Sequence, residues 1–363
     1  MVRGAALVVR FSSLGDVLLA AHLPAFLRDA DPGRRVLFAT KERHAPILRG
    51  HPDVARFYFL EDGTADPAAP APLGITGSLG ILADSIRREG IEEVYDLHQN
   101  LRSTRLVSGL GRVRRIAPNK HGLRRRLMVY ARWTRPEPVP PLLQTYRALA
   151  GLPADAPVRP WLRQALSDAE HARARARLGA DADRLAFLGV GARWETKRWP
   201  LERFIDLGER LLPEIGLSPL YAAAPGTGEA EALRSLLPAE RHRTILEMPF
   251  RDAAAVATFA RVIVSNDSAA LHLGPALGVP TVGIFGSTVP AFGFSPARPR
   301  DAVAEVVLGC RPCDVHGRRR CPLGHHRCMR DLAPASVLDA VRKALSGAVE
   351  TDERLARGAT EAG

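Results

Sequence analysis

The sequence predicts an α/β protein of two doubly wound domains, each a parallel sheet flanked by helices. Three observations carry that expectation. Short β-branched apolar runs alternate with helical stretches through the first half of the chain, the same alternation restarts near residue 185, and a proline-rich connection lies between them.

Residues 5–10 are apolar and β-branched and read as a buried strand. Residues 11–16 form a polar turn, and 17–28 read as a helix in which Pro24 marks a kink or a local break. Strands are expected at 35–39, 94–98 and 114–116, with a helix from about Leu101. Residues 61–74, rich in Pro, Ala and Gly, read as a surface loop. Prolines crowd 134–141 and 151–160, which makes these stretches the inter-domain connection. Further strands are expected at 185–190, 217–223, 262–264 and 279–285. Helices begin near Leu201 and span 272–277, the second closed by Gly278 as its cap. An amphipathic helix covers 336–345, and the polar residues from 348 read as a flexible tail. The expected domains are therefore 1–160 and 161–347, with the tail at 348–363.

Of the 363 residues, 46% are hydrophobic and 25% charged, the balance of a water-soluble globular protein with two cores. The N-terminal apolar run is cut short by Arg10, unlike a signal peptide. No stretch approaches the roughly 18 apolar residues of a membrane span, so a cytoplasmic protein is expected, with any membrane contact peripheral. The formal net charge of +12 suits anionic partners: nucleic acid, a membrane surface or phosphorylated sugars. Arg112, Arg114, Arg115, Lys120, Arg124, Arg125 and Arg126 crowd one segment. A solvated face and an anion-binding surface are both open readings of it.

Four motifs stand out. The first, Ser12-Ser-Leu-Gly-Asp16, lies between a strand end and a helix start. Gly15 permits a tight turn, and Asp16 sits at or near the N-cap, where a plain capping aspartate would look the same. The second, residues 189–200, places Gly191, Arg193, Lys197 and Arg198 after a strand and Trp199-Pro200 at a helix start. Cations beside exposed backbone N–H groups suit a pyrophosphate, although the P-loop ending is missing. The third, residues 264–272, ends a strand and caps a helix with Asn266, Asp267 and Ser268, and His272 shares a face with Ser268. A helix start of this kind binds phosphate, and an ordinary cap with a core histidine fits equally. The fourth holds all four cysteines, Cys310, Cys313, Cys321 and Cys328. It reads either as a structural zinc site or as a reduced loop; a disulfide does not suit a cytoplasm.

Together these motifs resemble glycosyltransferase family 9, the heptosyltransferases that build the inner core of lipopolysaccharide. The likeness runs over nearly the whole chain. It rests on residues 12–16, Lys197-Arg-Trp-Pro200, Ser265-Asn-Asp-Ser268 with His272, the run 276–288, and Cys310-Arg-Pro-Cys313 with 321–329. The resemblance implies a GT-B fold, two Rossmann-like domains facing across a cleft, with acceptor bound mainly by the first and donor by the second. It implies inversion, an ADP-heptose donor, and a lipid-linked anionic acceptor bearing Kdo or heptose at the inner face of the cytoplasmic membrane. By position it makes Asp16 the general base and Lys197 a phosphate-binding cation, with Ser13 and Gly15 beside the acceptor. It places Asp267, Ser268 and His272 at the donor diphosphate, near Gly191 and Arg193. It also matches Glu229, or less closely Glu231, to an acidic donor contact, and Met248 to the adenine pocket, where a core methionine is the plainer reading. Lys120 and Arg124 fit the acceptor by charge. Ala269 and Ala270 depart from the family's usual Ser-Gly turn.

No metal cofactor is expected. The Asp-x-Asp pairs, Asp29 with Asp31 and Asp181 with Asp183, fall in helix ends or loops, so Lys197 and the helix start at Ser268 would stabilise the leaving diphosphate. Two rivals stand beside this reading: a transferase or epimerase of the same architecture using another nucleotide sugar, and a basic nucleic-acid-binding protein. The second lacks a recognisable reader module, so no nucleic-acid partner is expected.

Overall fold

The computed structural model describes residues 4–63, 74–131, 138–296 and 298–361, with side chains to residue 347. Most of the expected loop (64–73) and residues 134–137 of the expected connection lie outside the described residues. Two compact units emerge: Met1–Lys120 with Leu142–Ser167, and His121–Pro141 with Asp168–Gly363. The division thus departs from one at 160/161, for local reasons. Trp161 is fully buried, its ring stacked 4.6 Å from that of His51, so the helix Trp161–Ala165 packs with the first unit. Residues 121–141 are tied to the second, because Val139 N–H donates to Ala291 O and Arg125 Nε to Phe292 O.

The first unit's sheet contains, among the described residues, β1 (Ala5–Val9), β2 (Val36–Lys41), β3 (Arg56–Leu60), β4 (Gly74–Gly77), β5 (Ile91–Asp96) and β6 (Arg114–Ile116). Their order is β4-β3-β2-β1-β5-β6, and every pairing is parallel. The wholly apolar β1 is buried on both faces, as the middle of a parallel sheet requires. The helix expected at 17–28 is two helices, Leu14–Ala20 and Leu23–Ala30. Pro24 falls in the first turn of the second, where its missing N–H has no intrahelical acceptor to lose.

The second sheet contains β7 (Leu185–Gly189), β8 (Ser218–Ala223), β9 (Ile245–Glu247), β10 (Ala260–Asn266), β11 (Thr281–Phe285) and β12 (Ala302–Glu305). The order is β12-β11-β10-β7-β8-β9, again parallel throughout. Helix Leu201–Ile215 lays Phe204, Leu207 and Leu211 onto this sheet's core, and the last helix, Pro334–Glu361, adds Val337, Leu338 and Val341. That last helix runs past residue 345, through most of the stretch read as a tail. No helix among the described residues is long and apolar enough to cross a membrane.

Strand order positions the sites. In the first sheet the chain steps outward from β1 through β2, β3 and β4, then returns to place β5 on the other flank of β1. The crevice at the carboxyl ends of β1 and β5 is therefore a topological switch point, where doubly wound sheets bind ligands. The second sheet repeats the reversal between β7 and β10.

Candidate active site

The first switch point carries Asp16. Ser13, in extended conformation, is the N-cap of helix Leu14–Ala20, and Asp16 reaches back from the third helical residue. Asp16 Oδ2 accepts the Ser13 N–H at 3.0 Å and the Ser13 hydroxyl at 2.8 Å, and pairs with Arg10 Nη2 at 2.8 Å. Asp16 is thus a capping acid, as the plainer reading of the sequence had it. Capping occupies only one of its oxygens: Oδ1 accepts no hydrogen bond from the described residues. Burial pushes this carboxyl up, but Arg10 and the two Ser13 bonds outweigh it and leave its pKa below the usual 3.8. The group is a carboxylate throughout the neutral range.

Its surroundings come from the end of β5. Asp96, fully buried, accepts the N–H groups of His98 and Gln99 at 3.0 and 2.8 Å, which turns the chain away from the strand and ends it two residues earlier than expected. Arg10 Nη1 donates to Leu97 O at 2.5 Å, which fixes the guanidinium beside Asp16. Burial, then Arg10 and Lys120, push the His98 imidazole down to about 4, so it is neutral at pH 7. Lys120 Nζ donates to the carbonyls of His98 and Gln99 at 2.6 and 3.1 Å, which brings this cation to the switch point. Gly15 and Ser13 lie in the same turn. Arg124 does not join them within this unit; it lies on helix Gly122–Tyr130 of the second. The first switch point therefore offers one open carboxylate oxygen among two cations and a neutral imidazole.

The second switch point carries Lys197 and Asp267. Lys197 Nζ lies 2.6 Å from Asp267 Oδ2, with the two side chains only 13% and 9% exposed. Thr288 Oγ1 donates to the same oxygen at 2.7 Å. Asn266 joins the two strand ends: its Nδ2 donates to Val190 O at 2.7 Å, and its Oδ1 accepts Trp199 N–H at 3.0 Å. There is no room for a side chain on Gly189, since its methyl would meet Ser265 Oγ of β10 and Ala270 Cβ of the following turn, each at 2.9 Å.

Ser268 caps a 3₁₀ turn, Ala269–His272, and the α-helix expected over 272–277 begins only after it, at Leu273, rather than at the cap itself. Pro275 supplies the reason: it has no N–H to bond Leu271 O, so an α-helical ladder cannot run through from Ala269. His272 is buried beneath this turn. Glu229 opens helix Glu229–Leu236 after Gly228 at φ 84°; it is buried, with Oε1 3.5 Å from Arg198 Nη2 and Oε2 unpartnered among the described residues. A Cβ on Gly191 would lie 3.7 Å from Glu229 Oε1, so these two adjoin, whereas Glu231 is exposed. Arg193 is exposed, its guanidinium 5.2 Å from the Trp194 ring centroid. Met248 follows β9, half-buried and outside the core cluster, which sets aside the core-methionine reading.

The cysteine segment braces this second site. Arg311 donates to the carbonyls of Phe285 and Thr288 at 3.2 and 2.9 Å, and also to Gly286 O and Val306 O. Arg318 N–H donates to Thr196 Oγ1 at 2.8 Å, and Thr196 N–H donates back to Arg318 O at 3.1 Å. The loops bearing Lys197 and Thr288 are therefore both held by residues 311–318. All four cysteines are free thiols; burial pushes Cys313 up and Cys328 to about 11. Among the described residues no group of three or more His, Cys, Asp or Glu is placed to hold a metal ion, while the four thiols lie near enough to one another that Cys310 and Cys321 help raise Cys313, and all three help raise Cys328. The two Asp-x-Asp pairs are engaged elsewhere, with Asp29 on Arg159, Asp181 on Arg184 and Ser218, and Asp183 on Arg175.

Sequence reasoning missed Arg10, His98, Thr288 and Arg311 as site residues, and gave Asn266 only a capping part. Arg10 and Asn266 had a usable signal, since each is the polar residue that ends an apolar strand. His98, Thr288 and Arg311 had none, because their partners are distant in the chain.

Residues 80–324 match glycosyltransferase family 9 (heptosyltransferase). Lipooligosaccharide heptosyltransferase 2 of Campylobacter jejuni is 35% identical over 86 residues, spanning 23% of this chain and 26% of that relative's length. Lipopolysaccharide heptosyltransferase 2 of Escherichia coli is 24% identical over 93% of this chain and 98% of its own. Among solved structures, the E. coli ADP-heptose lipopolysaccharide heptosyltransferase II superposes with a TM-score of 0.68 at 21% identity, over 94% of this chain and 98% of that one. At that identity the superposition speaks for the fold, a GT-B pair of parallel sheets.

Proposed function

Because the chain belongs to glycosyltransferase family 9, the heptosyltransferases, we propose that it transfers a heptose from ADP-heptose, with inversion and without a metal, to the Kdo- or heptose-bearing inner core of lipopolysaccharide. The observation that carries this reading is the Lys197 ammonium, held 2.6 Å from a buried Asp267 at the switch point of the second sheet. A cation fixed there suits the leaving diphosphate.

Asp16 Oδ1 takes the proton of the acceptor hydroxyl as that oxygen bonds to the anomeric carbon. The bond from the anomeric carbon to the diphosphate oxygen breaks on the opposite face, and ADP carries away the electron pair. A carboxylate with a lowered pKa is a weak base toward a free alcohol. It suffices here because the hydroxyl proton becomes acidic only as its oxygen bonds to carbon in the transition state. Arg10 and Ser13 hold Oδ2, which aims the other oxygen.

Lys197 neutralises charge on the leaving group. Asp267 pairs with Lys197 and holds that ammonium at the donor diphosphate. Ser268, His272, Gly191 and Arg193 complete the diphosphate end, Glu229 offers its unpartnered oxygen to donor hydroxyls, and Met248 meets the adenine. Lys120 and Arg124 serve an anionic, lipid-linked acceptor, which places the enzyme in the cytoplasm at the inner face of its membrane. The first unit, 1–120 with 142–167, is the proposed acceptor-binding domain, and the second, 121–141 with 168–363, the proposed donor-binding one.

A thermal-shift series tests the donor. ADP-heptose should raise Tm more than UDP- or GDP-sugars at equal concentration, with no change on adding EDTA. An equal or larger shift with a UDP-sugar would overturn the donor assignment, and a response abolished by EDTA would overturn metal independence.

A further inference from the structure

The helix Gly122–Tyr130 has a side the fold does not use. Arg125 and Met128, one turn apart, face inward. Arg125 Nε donates to Phe292 O at 3.0 Å, its guanidinium lies 4.5 Å from the Phe294 ring centroid, and Met128 is buried. Residues 123, 126 and 130 fall on the opposite side at helical spacing. Leu123 and Tyr130 are each 74% exposed, and Arg126 is exposed between them. A leucine and a tyrosine so far out of the core, on a helix pinned in place by its other side, form an apolar stripe with a cation set into it.

Charge selects what covers that stripe. Within the second unit, residues 121–131 carry three arginines (124, 125 and 126) and no aspartate or glutamate. A soluble partner with an apolar groove would meet the leucine and tyrosine but has no reason to meet a helix whose only charges are positive. A bilayer rich in anionic lipid meets both, since apolar side chains enter the headgroup boundary while arginines stay with the phosphates.

We propose that helix Gly122–Tyr130 docks the protein on an anionic lipid surface, with Leu123 and Tyr130 inserted at the headgroup level and Arg126 on lipid phosphate. This deepens the reading of a lipid-linked acceptor. It is tested without any sugar substrate, so its failure and the failure of the transferase reading are distinguishable.

The full chain is sedimented with vesicles of phosphatidylglycerol and phosphatidylethanolamine, or of phosphatidylcholine alone, at low and high salt. The wild type should pellet with the anionic vesicles, weakly with the neutral ones, and less as salt rises. The Leu123→Ser/Tyr130→Ser variant should lose about ten-fold or more in partition coefficient, and Arg126→Glu should lose anionic selectivity. All three residues are exposed, so Tm should not move; Arg126→Glu alone decides if the double variant unfolds. Activity on a water-soluble acceptor should be unchanged in both variants. Equal partitioning of wild type and both variants overturns the proposal. So does a wild type that ignores anionic vesicles, including one that instead binds duplex DNA.

Discussion

Replacing Lys197 by methionine separates what its ammonium does for the fold from what it does for the reaction. The ammonium lies 2.6 Å from Asp267 Oδ2, and the side chains are 13% and 9% exposed. Methionine keeps most of the stem and removes the charge, leaving Asp267 buried with the Thr288 hydroxyl still donating to it. Breaking a fully buried pair costs about 3–5 kcal/mol. Both groups here keep some contact with water, so a destabilisation of about 1–3 kcal/mol is expected in urea unfolding. Loss of one preorganised charge opposite the leaving group should cost about 10²–10³ in kcat, or roughly 3–4 kcal/mol of barrier. The two effects part in the double variant Lys197→Met/Asp267→Asn, which removes both charges and should recover most of the stability. Its turnover, read as ADP released from ADP-heptose with acceptor present, should stay low. Lys197→Arg should recover part of it. Turnover within about three-fold of wild type in Lys197→Met, or recovered in the double variant, would refute the assignment of charge neutralisation to Lys197.

Further consequences are equally direct. Arg10→Met removes the guanidinium that helps lower the Asp16 pKa, so the pKa rises. Asp16 must be ionised to act as base, so in the wild type its activity is present above the lowered pKa and lost only as pH falls through it. The acid limb of kcat/KM should therefore move toward neutrality in Arg10→Met, and an unmoved limb would show that the pair does not tune the base. The same sign holds for stability: Asp16 stabilises the fold above its unfolded pKa, and that contribution is lost on acidification through the folded one. Gly274→Ala tests packing alone, because the new methyl would sit 1.6 Å from Thr281 Oγ1 and 3.0 Å from Val279 O. It should lower stability by about 1–3 kcal/mol in denaturant unfolding, and an unchanged midpoint would contradict the close approach of this helix to β11.

The middle of each sheet was legible in the sequence because β1 and β7 are apolar and buried throughout, and β10 and β11 hold buried apolar runs at Val262–Val264 and Val282–Phe285. The edges were not. β4 is Gly74-Ile-Thr-Gly77 and β9 only Ile245-Leu-Glu247, too short and too glycine- or charge-flanked to show a period. β3, Arg56-Phe-Tyr-Phe-Leu60, carries an aromatic signal but no β-branched residue. The site was legible where chemistry is local, as in Ser13 to Asp16. It was illegible where a partner lies far along the chain, as Thr288 does from Asp267 or Arg311 from Thr288. The aspartate that the sequence could not tell from a plain cap is one, and its second oxygen is what leaves it free for chemistry.

The most direct test of the account is a single-turnover assay of Asp16→Ala with ADP-heptose and a lipopolysaccharide-type acceptor, run beside a donor-binding titration. The account predicts that the variant binds ADP-heptose with near-wild-type affinity, because the donor groups lie around Lys197 and Asp267, while transfer falls by at least about 10². Transfer at a wild-type rate would contradict it outright. Loss of donor binding in parallel with transfer would show that Asp16 acts on the donor rather than as the acceptor's base.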